Sequence, residues 1–395
     1  MSLQNPARRE PVVPRTFSEA AAALAGAAAQ RRPVRFVGGG SKLDWGCPTA
    51  PGALRIHTGE LNRVIVHPER ATATISAGTP LARVQATLAR GGMMLALDPP
   101  LGRRGQRSAT IGGVVAAADA GPLSHRYGPP GAQLEGVTVA LSDGTILSTG
   151  PRGGYTQDGH NLTRLTAGSF GTLGLILELE VRLEPLPFGT FTALASSDDP
   201  AKLLGGATAL ALEHTDLQAL DYAWRDGRGG LLAQLAGEHA AERAAQVVST
   251  LRSCGLDDAS VRADDASLWA RQRAGQRAPD PSLERSGGLA LLRVAHHPDE
   301  LGAIIRLADT AGATAVGRAA RGVSYLTLTA DQIAPVRAAL PEGSSGVALD
   351  LPLAQRSEID PWAFAGSPHA ALMQAVRARF DPHGICNPGL FDWGG

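Results

Sequence analysis

Three glycine-rich segments follow one another in the first half of this chain: Gly38 to Ser41 (GGGS), Ala109 to Gly121 (ATIGGVVAAADAG) and Gly168 to Gly174 (GSFGTLG). Glycine lets backbone approach another group closely and reach positive φ without steric cost, so such segments can aim successive N–H groups at phosphate oxygens. One run of this kind means little, whereas three in succession predict a chain wrapped around a large phosphate-bearing ligand. The two commonest phosphate-binding spacings do not fit. A GxGxxG fingerprint starting at Gly38 needs glycine at 43, where Leu43 stands, and a GxxxxGK[ST] loop is broken because Lys42 follows Ser41 directly.

At 395 residues the chain exceeds the size at which a single core stops growing, so two domains are expected. A hydrophobic fraction of 44% supplies those cores, and no apolar run approaches the ~20 residues that cross a bilayer. Basic and acidic residues balance at 37 each, which leaves no overall field for nucleic acid or an anionic membrane. The N-terminus (MSLQNPARREPVVPR) lacks the apolar core of a signal peptide, and Cys47, Cys254 and Cys386 form neither a CxxC pair nor an even disulfide set. A cytoplasmic setting is the expectation.

Short apolar runs between turns predict strands at Val34 to Val37, Leu54 to Ile56, Arg63 to His67, Thr72 to Ala77, Leu134 to Leu141 and Leu175 to Leu183. Helices are predicted after Thr16, through Ala20 to Ala29, and over Pro80 to Arg90, which opens with proline and closes at Gly91 and Gly92. The first domain is therefore mixed α+β and ends near Glu184 to Pro187. From 190 to about 350 the rhythm changes. Strands at Phe191 to Leu194, Leu231 to Leu235, Leu289 to Val294 and Ser324 to Leu328 alternate with helices at Pro200 to His214, Glu238 to Cys254 and Pro298 to Gly312, the pattern of an open-sheet α/β domain. A last helix is predicted over Ala370 to Phe380.

The segments VGGGSKLDWG (37–46), TISAGTPLARVQATLARGG (74–92), DPPLGRRGQRSATIGGVVAAADAGP (98–122), LTRLTAGSFGTLGLILELEVRLEPLP (162–187) and FDPHGICNPGLF (380–391) resemble the FAD-binding domain of the vanillyl-alcohol oxidase and p-cresol methylhydroxylase (PCMH) superfamily. Within it they are most similar to the FAD-binding E subunits of bacterial glycolate oxidases. The resemblance implies an α+β fold: a tail (1–16), a PCMH-type FAD-binding domain of two α+β subdomains (17–187), a smaller open-sheet α/β cap or substrate domain (188–362), and a C-terminal segment that returns to the FAD domain (363–395). It also implies site residues. Gly38, Gly39, Gly40, Ser41 and Lys42 match the pyrophosphate loop; Ser108, Thr110, Ile111, Gly112 and Gly113 match the loop along the flavin, with Pro99 and Pro100 shaping its entry. Val137 holds the strand position whose backbone meets the flavin pyrimidine edge, and Asn387 lies in the returning segment.

Each of these residues has a plainer reading beside the functional one. GGGS alone is also a strand-ending turn, Lys42 a surface charge, Gly168, Gly171 and Gly174 a tight loop, and Asn387 the end of a turn before Pro388. Relatives often attach flavin through a histidine in the first loop or a cysteine in the second, but residues 38–46 hold no His and 98–121 no Cys, so noncovalent FAD is expected. His125 is the nearest exception and otherwise a polar turn residue. In GYTQDGHNLTRL (154–165), His160 is a candidate acid/base or a structural loop residue.

The superfamily's hydroxy-acid dehydrogenases carry a metal motif, HxxGDGNxH, that this chain lacks; the adjacent His296 and His297 would face opposite sides of a strand rather than share an ion. The resemblance therefore implies a redox subunit. It takes part in oxidation of glycolate or D-lactate beside a catalytic flavoprotein subunit and an iron–sulfur subunit, in the cytoplasm or peripheral to the inner membrane through those partners, with no nucleic acid involved. Two alternatives stay open. One is a self-sufficient FAD oxidase or dehydrogenase of an alcohol, alditol or hydroxy acid, with Arg293, Arg318, Arg321 and Tyr325 as its clamp; the other is a flavin-binding scaffold without electron transfer.

Overall fold

A computed structural model describes residues 10–48, 50, 52–102, 109–150, 162–279, 288–352, 355–356, 358–364 and 369–391. The chain starts with α1 (Phe17–Ala29), where the Thr16 hydroxyl accepts the Glu19 N–H at 3.1 Å and so caps the first turn. Next come β1 (Val34–Val37) and β2 (Leu54–His57), a parallel pair in register from Val34 opposite Leu54 to Val37 opposite His57. Leu24 of α1 and Ile56 of β2 are fully buried in a shared core, each side chain contributing about 1.5–3 kcal/mol by leaving water.

The next elements are β3 (Val64–His67), β4 (Thr72–Ser76), α2 (Leu81–Ala89), β5 (Met93–Met94), α3 (Ile111–Ala116), α4 (Ser124–Tyr127), β6 (Leu134–Ala140), β7 (Ile146–Ser148), α5 (Leu162–Thr166), β8 (Leu175–Arg182) and β9 (Glu184–Pro185). Five of the strands form one antiparallel sheet in the order β3-β4-β8-β6-β7, and β5 pairs with β9. Leu81, Val84 and Leu88 of α2 and Ile111, Val114 and Val115 of α3 fill the core of this sheet. The first domain thus holds two α+β layers, one around the β1–β2 pair and one around the five-stranded sheet.

The second domain runs β10 (Thr190–Ser197), α6 (Pro200–Glu213), β11 (Ala219–Arg225), β12 (Arg228–Ala236), α7 (Ala240–Ser253), β13 (Ser260–Arg262), α8 (Ala266–Ala274), β14 (Leu289–Ala295), α9 (Leu301–Thr310), β15 (Thr314–Arg318), β16 (Val323–Thr329), α10 (Ile333–Ala338) and β17 (Ser345–Leu349). Its eight strands make one open sheet, β13-β10-β12-β11-β15-β16-β14-β17, and every pairing in it is antiparallel. Helices of an antiparallel sheet gather on one face. Here α6, α7 and α9 bury Leu203, Val247 and Ile304 against Leu220, Tyr222 and Leu292 of the strands.

Because strand side chains alternate, the same strands turn their other residues toward the first domain. Leu291, Tyr325 and Leu349 meet Trp45 and Ala117 there. The chain then forms α11 (His369–Phe380) and comes back to β1: the Val34 N–H donates to the Ile385 carbonyl and the Asn387 N–H to the Val34 carbonyl. Among the described residues no helix is long and apolar enough to cross a membrane.

Candidate functional site

The three glycine segments meet in one cleft of the first domain, lined by Phe36, Gly38, Thr110, Gly113, Phe170 and Asn387. Their contacts explain the glycines. A Cβ on Gly38 would lie 2.2 Å from the Thr110 hydroxyl oxygen, and one on Gly171, whose φ is +70°, would lie 2.7 Å from the Asn387 amide nitrogen and 2.9 Å from the Phe36 ring. Gly40, at φ +77°, takes the left-handed turn that sends the chain on to Ser41 and Lys42. Gly38 and Gly171 need close approach, Gly40 and Gly171 need their dihedrals, and together they leave a channel walled by backbone.

Gly39, Gly40, Ser41 and Lys42 line the same channel. Gly112 also borders it, but its constraint is packing: its N–H donates to the Ala77 carbonyl at 2.9 Å, and a Cβ there would sit 2.6 Å from that of Ala77. Ile111 points into the core of the first domain. The second glycine segment, expected as a loop, instead opens α3, with the Thr110 hydroxyl accepting the Gly113 N–H at 3.4 Å.

Asn387 spends its amide on protein. Its Oδ1 accepts the Phe36 N–H at 3.0 Å and its Nδ2 donates to the Phe170 carbonyl at 2.7 Å, so it stitches β1 to the third glycine segment. Pro99 and Pro100 are buried. The structure takes Val137 away from the cleft, beside Val139, Leu141 and Phe380, and its N–H and carbonyl are both bonded to Thr149. Ser108 and His160 lie outside the described residues.

His125 sits in α4, where burial, helped by Arg321 and Arg318, pulls its imidazole down to about 4, so the ring is neutral at pH 7. His296 and His297 part company as expected. His296 is buried with Nε2 2.9 Å from the Ser324 hydroxyl, and His297 is exposed.

Charged groups gather where the second domain closes over this region. Lys42 forms a buried ion pair with Asp119 at 2.9 Å and lies 5.6 Å from the Trp45 ring centre. Arg318 donates to the Gly121 carbonyl at 3.0 Å and pairs with Asp221 at 2.5 Å; Arg321 donates to the His125 carbonyl. Asp98, 3.5 Å from Arg273, is half-buried, and desolvation raises its carboxyl to about 7 against the opposing pull of the Leu123 N–H and Arg273. Among the described residues Gln276, 1% exposed, finds no hydrogen-bond partner for either amide atom, a cost of about 1–3 kcal/mol per group. Asp119, Arg277 and Asp350 are single residues far apart in sequence; only the fold brings them together.

Comparison with known proteins identifies the kind of domain that contains the cleft. Residues 11–150 match the family described as "FAD binding domain". The chain is 32% identical over 151 residues to D-lactate dehydrogenase [cytochrome] 1, mitochondrial, of Saccharomyces cerevisiae, covering 38% of this chain and 25% of that one. It is 29% identical over 215 residues to glycolate oxidase subunit GlcD of Bacillus subtilis, covering 53% and 45%, and 26% identical over 224 residues to a D-lactate dehydrogenase of Anaerostipes hadrus, covering 56% and 46%. The matches thus span less than half the length of these relatives.

The fold is shared more widely. An alkyldihydroxyacetonephosphate synthase superposes with a TM-score of 0.69 at 16% identity over 95% of this chain and 75% of that one, and chitooligosaccharide oxidase with 0.68 at 16% over 96% and 90%. The chain carries an FAD-binding domain of the PCMH-type fold, and FAD is its cofactor. The cleft fits that group: Gly38, Gly39, Gly40 and Gly113 line it with bare backbone, and side chains at Gly38 and Gly171 would collide with its walls.

Proposed function

We propose that this chain, with its FAD-binding domain, is an FAD-dependent oxidoreductase of 2-hydroxy acids such as glycolate or D-lactate, acting as the flavin subunit of a glycolate oxidase-like assembly. Partners of that assembly, a catalytic flavoprotein and an iron–sulfur subunit, would exchange electrons with it. The observation that carries the reading is the convergence of three glycine segments in one cleft beside a second domain, in a chain whose matches include D-lactate dehydrogenases and a glycolate oxidase subunit. FAD, when bound, supplies the hydride and electron chemistry; the protein supplies position and potential. The isoalloxazine would be held noncovalently, since the two attachment loops lack the His and Cys used elsewhere.

The residues of this chain divide the work. The loop 38–42 and Thr110 would hold the phosphate arm, Lys42 is neutralised there by Asp119, and the second domain would exclude water by docking on Gly121 and His125. The missing HxxGDGNxH motif supports the accessory role.

One observation favours a second reading, autonomous oxidation. Of the candidate clamp, Arg318 and Arg321 are engaged in joining the domains, but Arg293 and Tyr325 are cross-strand neighbours beside the first domain. Among the described residues Arg293 makes no ion pair and the Tyr325 hydroxyl no hydrogen bond, so both are free to take a carboxylate. Anaerobic titration of the FAD-loaded chain with glycolate and D-lactate separates the two. The accessory reading expects slow or no bleaching alone and activity once partner subunits are added. Rapid bleaching of the isolated chain, lost in Arg293→Ala, contradicts it.

A further inference from the structure

A loop of three consecutive glycines is costly to order, because glycine gives up more backbone freedom on folding than any other residue. Something must hold residues 38–42 in the shape that lines the cleft. The first domain contributes the Lys42–Asp119 pair. The second contributes a more elaborate device centred on Arg277, which is 7% exposed and lies just beyond the end of α8. Its Nη1 donates to the Ser41 carbonyl at 3.0 Å, reaching across 236 positions of sequence.

Arg277 is itself fixed. Its Nε and Nη2 donate to the two carboxylate oxygens of Asp350 at 2.8 and 2.7 Å, the forked geometry that a lysine cannot reproduce. Asp350, fully buried, also accepts the Trp45 indole N–H at 2.7 Å and the Ala278 N–H at 3.0 Å. The Trp45 ring lies 5.3 Å from the guanidinium, so the glycine loop is held at Ser41 and again four residues on. Asp350 adopts φ +50°, a left-handed conformation uncommon outside glycine, to present its carboxylate. A buried ion pair is a poor way to gain stability, since its desolvation offsets much of its attraction. This one turns a further donor to a backbone carbonyl of the phosphate loop.

We infer that Arg277 is a positioning residue for the cofactor, clamping the phosphate loop from the second domain, so that FAD loading and docking of the two domains form one linked equilibrium. The inference rests on the FAD reading of the cleft. Linkage is reciprocal: if docking tightens FAD binding by some factor, FAD tightens docking by the same factor.

The test is hydrogen exchange on the full chain with and without FAD, beside FAD affinity measured by flavin fluorescence. In the parent, FAD should slow exchange in peptides covering 36–45 and 109–117, and also in second-domain peptides covering 275–279 and 345–351. Arg277→Gln should weaken FAD roughly tenfold or more and remove the second-domain protection, while saturating FAD still protects 109–117. Arg277→Lys should not restore affinity, and millimolar guanidinium should restore it in part to Arg277→Ala. If Arg277→Gln fails to fold, Trp45→Phe, which removes one donor to Asp350 and leaves the ion pair, should weaken FAD and reduce the same second-domain protection. Parent-like affinity in the variants, or second-domain protection that persists in them, overturns the clamp. A parent chain that takes up no FAD overturns instead the cofactor reading beneath it.

Discussion

Asp98 illustrates how much of this site is decided by single side chains that no motif announces. It is one residue ahead of two prolines, yet folding half-buries it beside Arg273 of the second domain, and desolvation lifts its carboxyl to about 7. In the unfolded chain an aspartate titrates near 3.9. Between those values the folded chain holds a proton that the unfolded chain has lost, so the contribution of Asp98 to stability is complete at the acid end and declines as pH rises through about 7. Urea unfolding at pH 5 and pH 8 should therefore show the parent losing on the order of a few kcal/mol relative to Asp98→Asn at the higher pH. Equal pH dependence in the two proteins would mean that Asp98 is ionised throughout. The glycines were easier to read than this carboxylate, but their roles were not uniform: Gly38 and Gly171 serve close approach at the cleft, and Gly112 serves packing on Ala77.

At the level of elements, the C-terminal segment shows what a single returning bridge can do. Asn387 bonds Phe36 on one side and Phe170 on the other, while Asp381 accepts the Ile385 and Cys386 N–H groups and fixes the turn that brings it there. Asn387→Ala leaves a buried donor and acceptor unmatched and should cost roughly 1–3 kcal/mol, read as a lower urea midpoint at unchanged slope. A midpoint within error of the parent would remove Asn387 as the link between β1 and the third glycine segment. Regular elements were legible where apolar side chains dominated: β1, β6, β8 and β14 are rich in Val, Ile and Leu, and α6 follows a proline start. The strands β11, β15 and β17 were missed. Asp221 and Arg318 interrupt the first two with buried charges that pair only across the sheet, and SGVAL in β17 is short and small. Likewise α3 was hidden because IGGVVA carries two glycines that disfavour an isolated helix; packing on Ala77 overrides that propensity.

The whole molecule is two domains joined around a cleft, and its charged contacts sit where they join: Lys42 with Asp119, Arg277 with Asp350, Arg318 with Asp221. The sequence carried the cleft because glycine, unlike charge, leaves a local signature. It could not carry the closure, because Arg277 and Ser41, or Arg318 and Gly121, are about two hundred positions apart and meet only after both domains have folded. An FAD-binding first domain closed by a second domain is the central claim, and one titration tests it. Apoprotein titrated with FAD, followed by flavin fluorescence and then acid precipitation, should bind one FAD per chain and release it into the supernatant. Gly38→Val, which places side-chain atoms against the Thr110 hydroxyl, should bind it at least tenfold more weakly. A chain that takes up no FAD, or a Gly38→Val protein that binds it as tightly as the parent, would contradict the account.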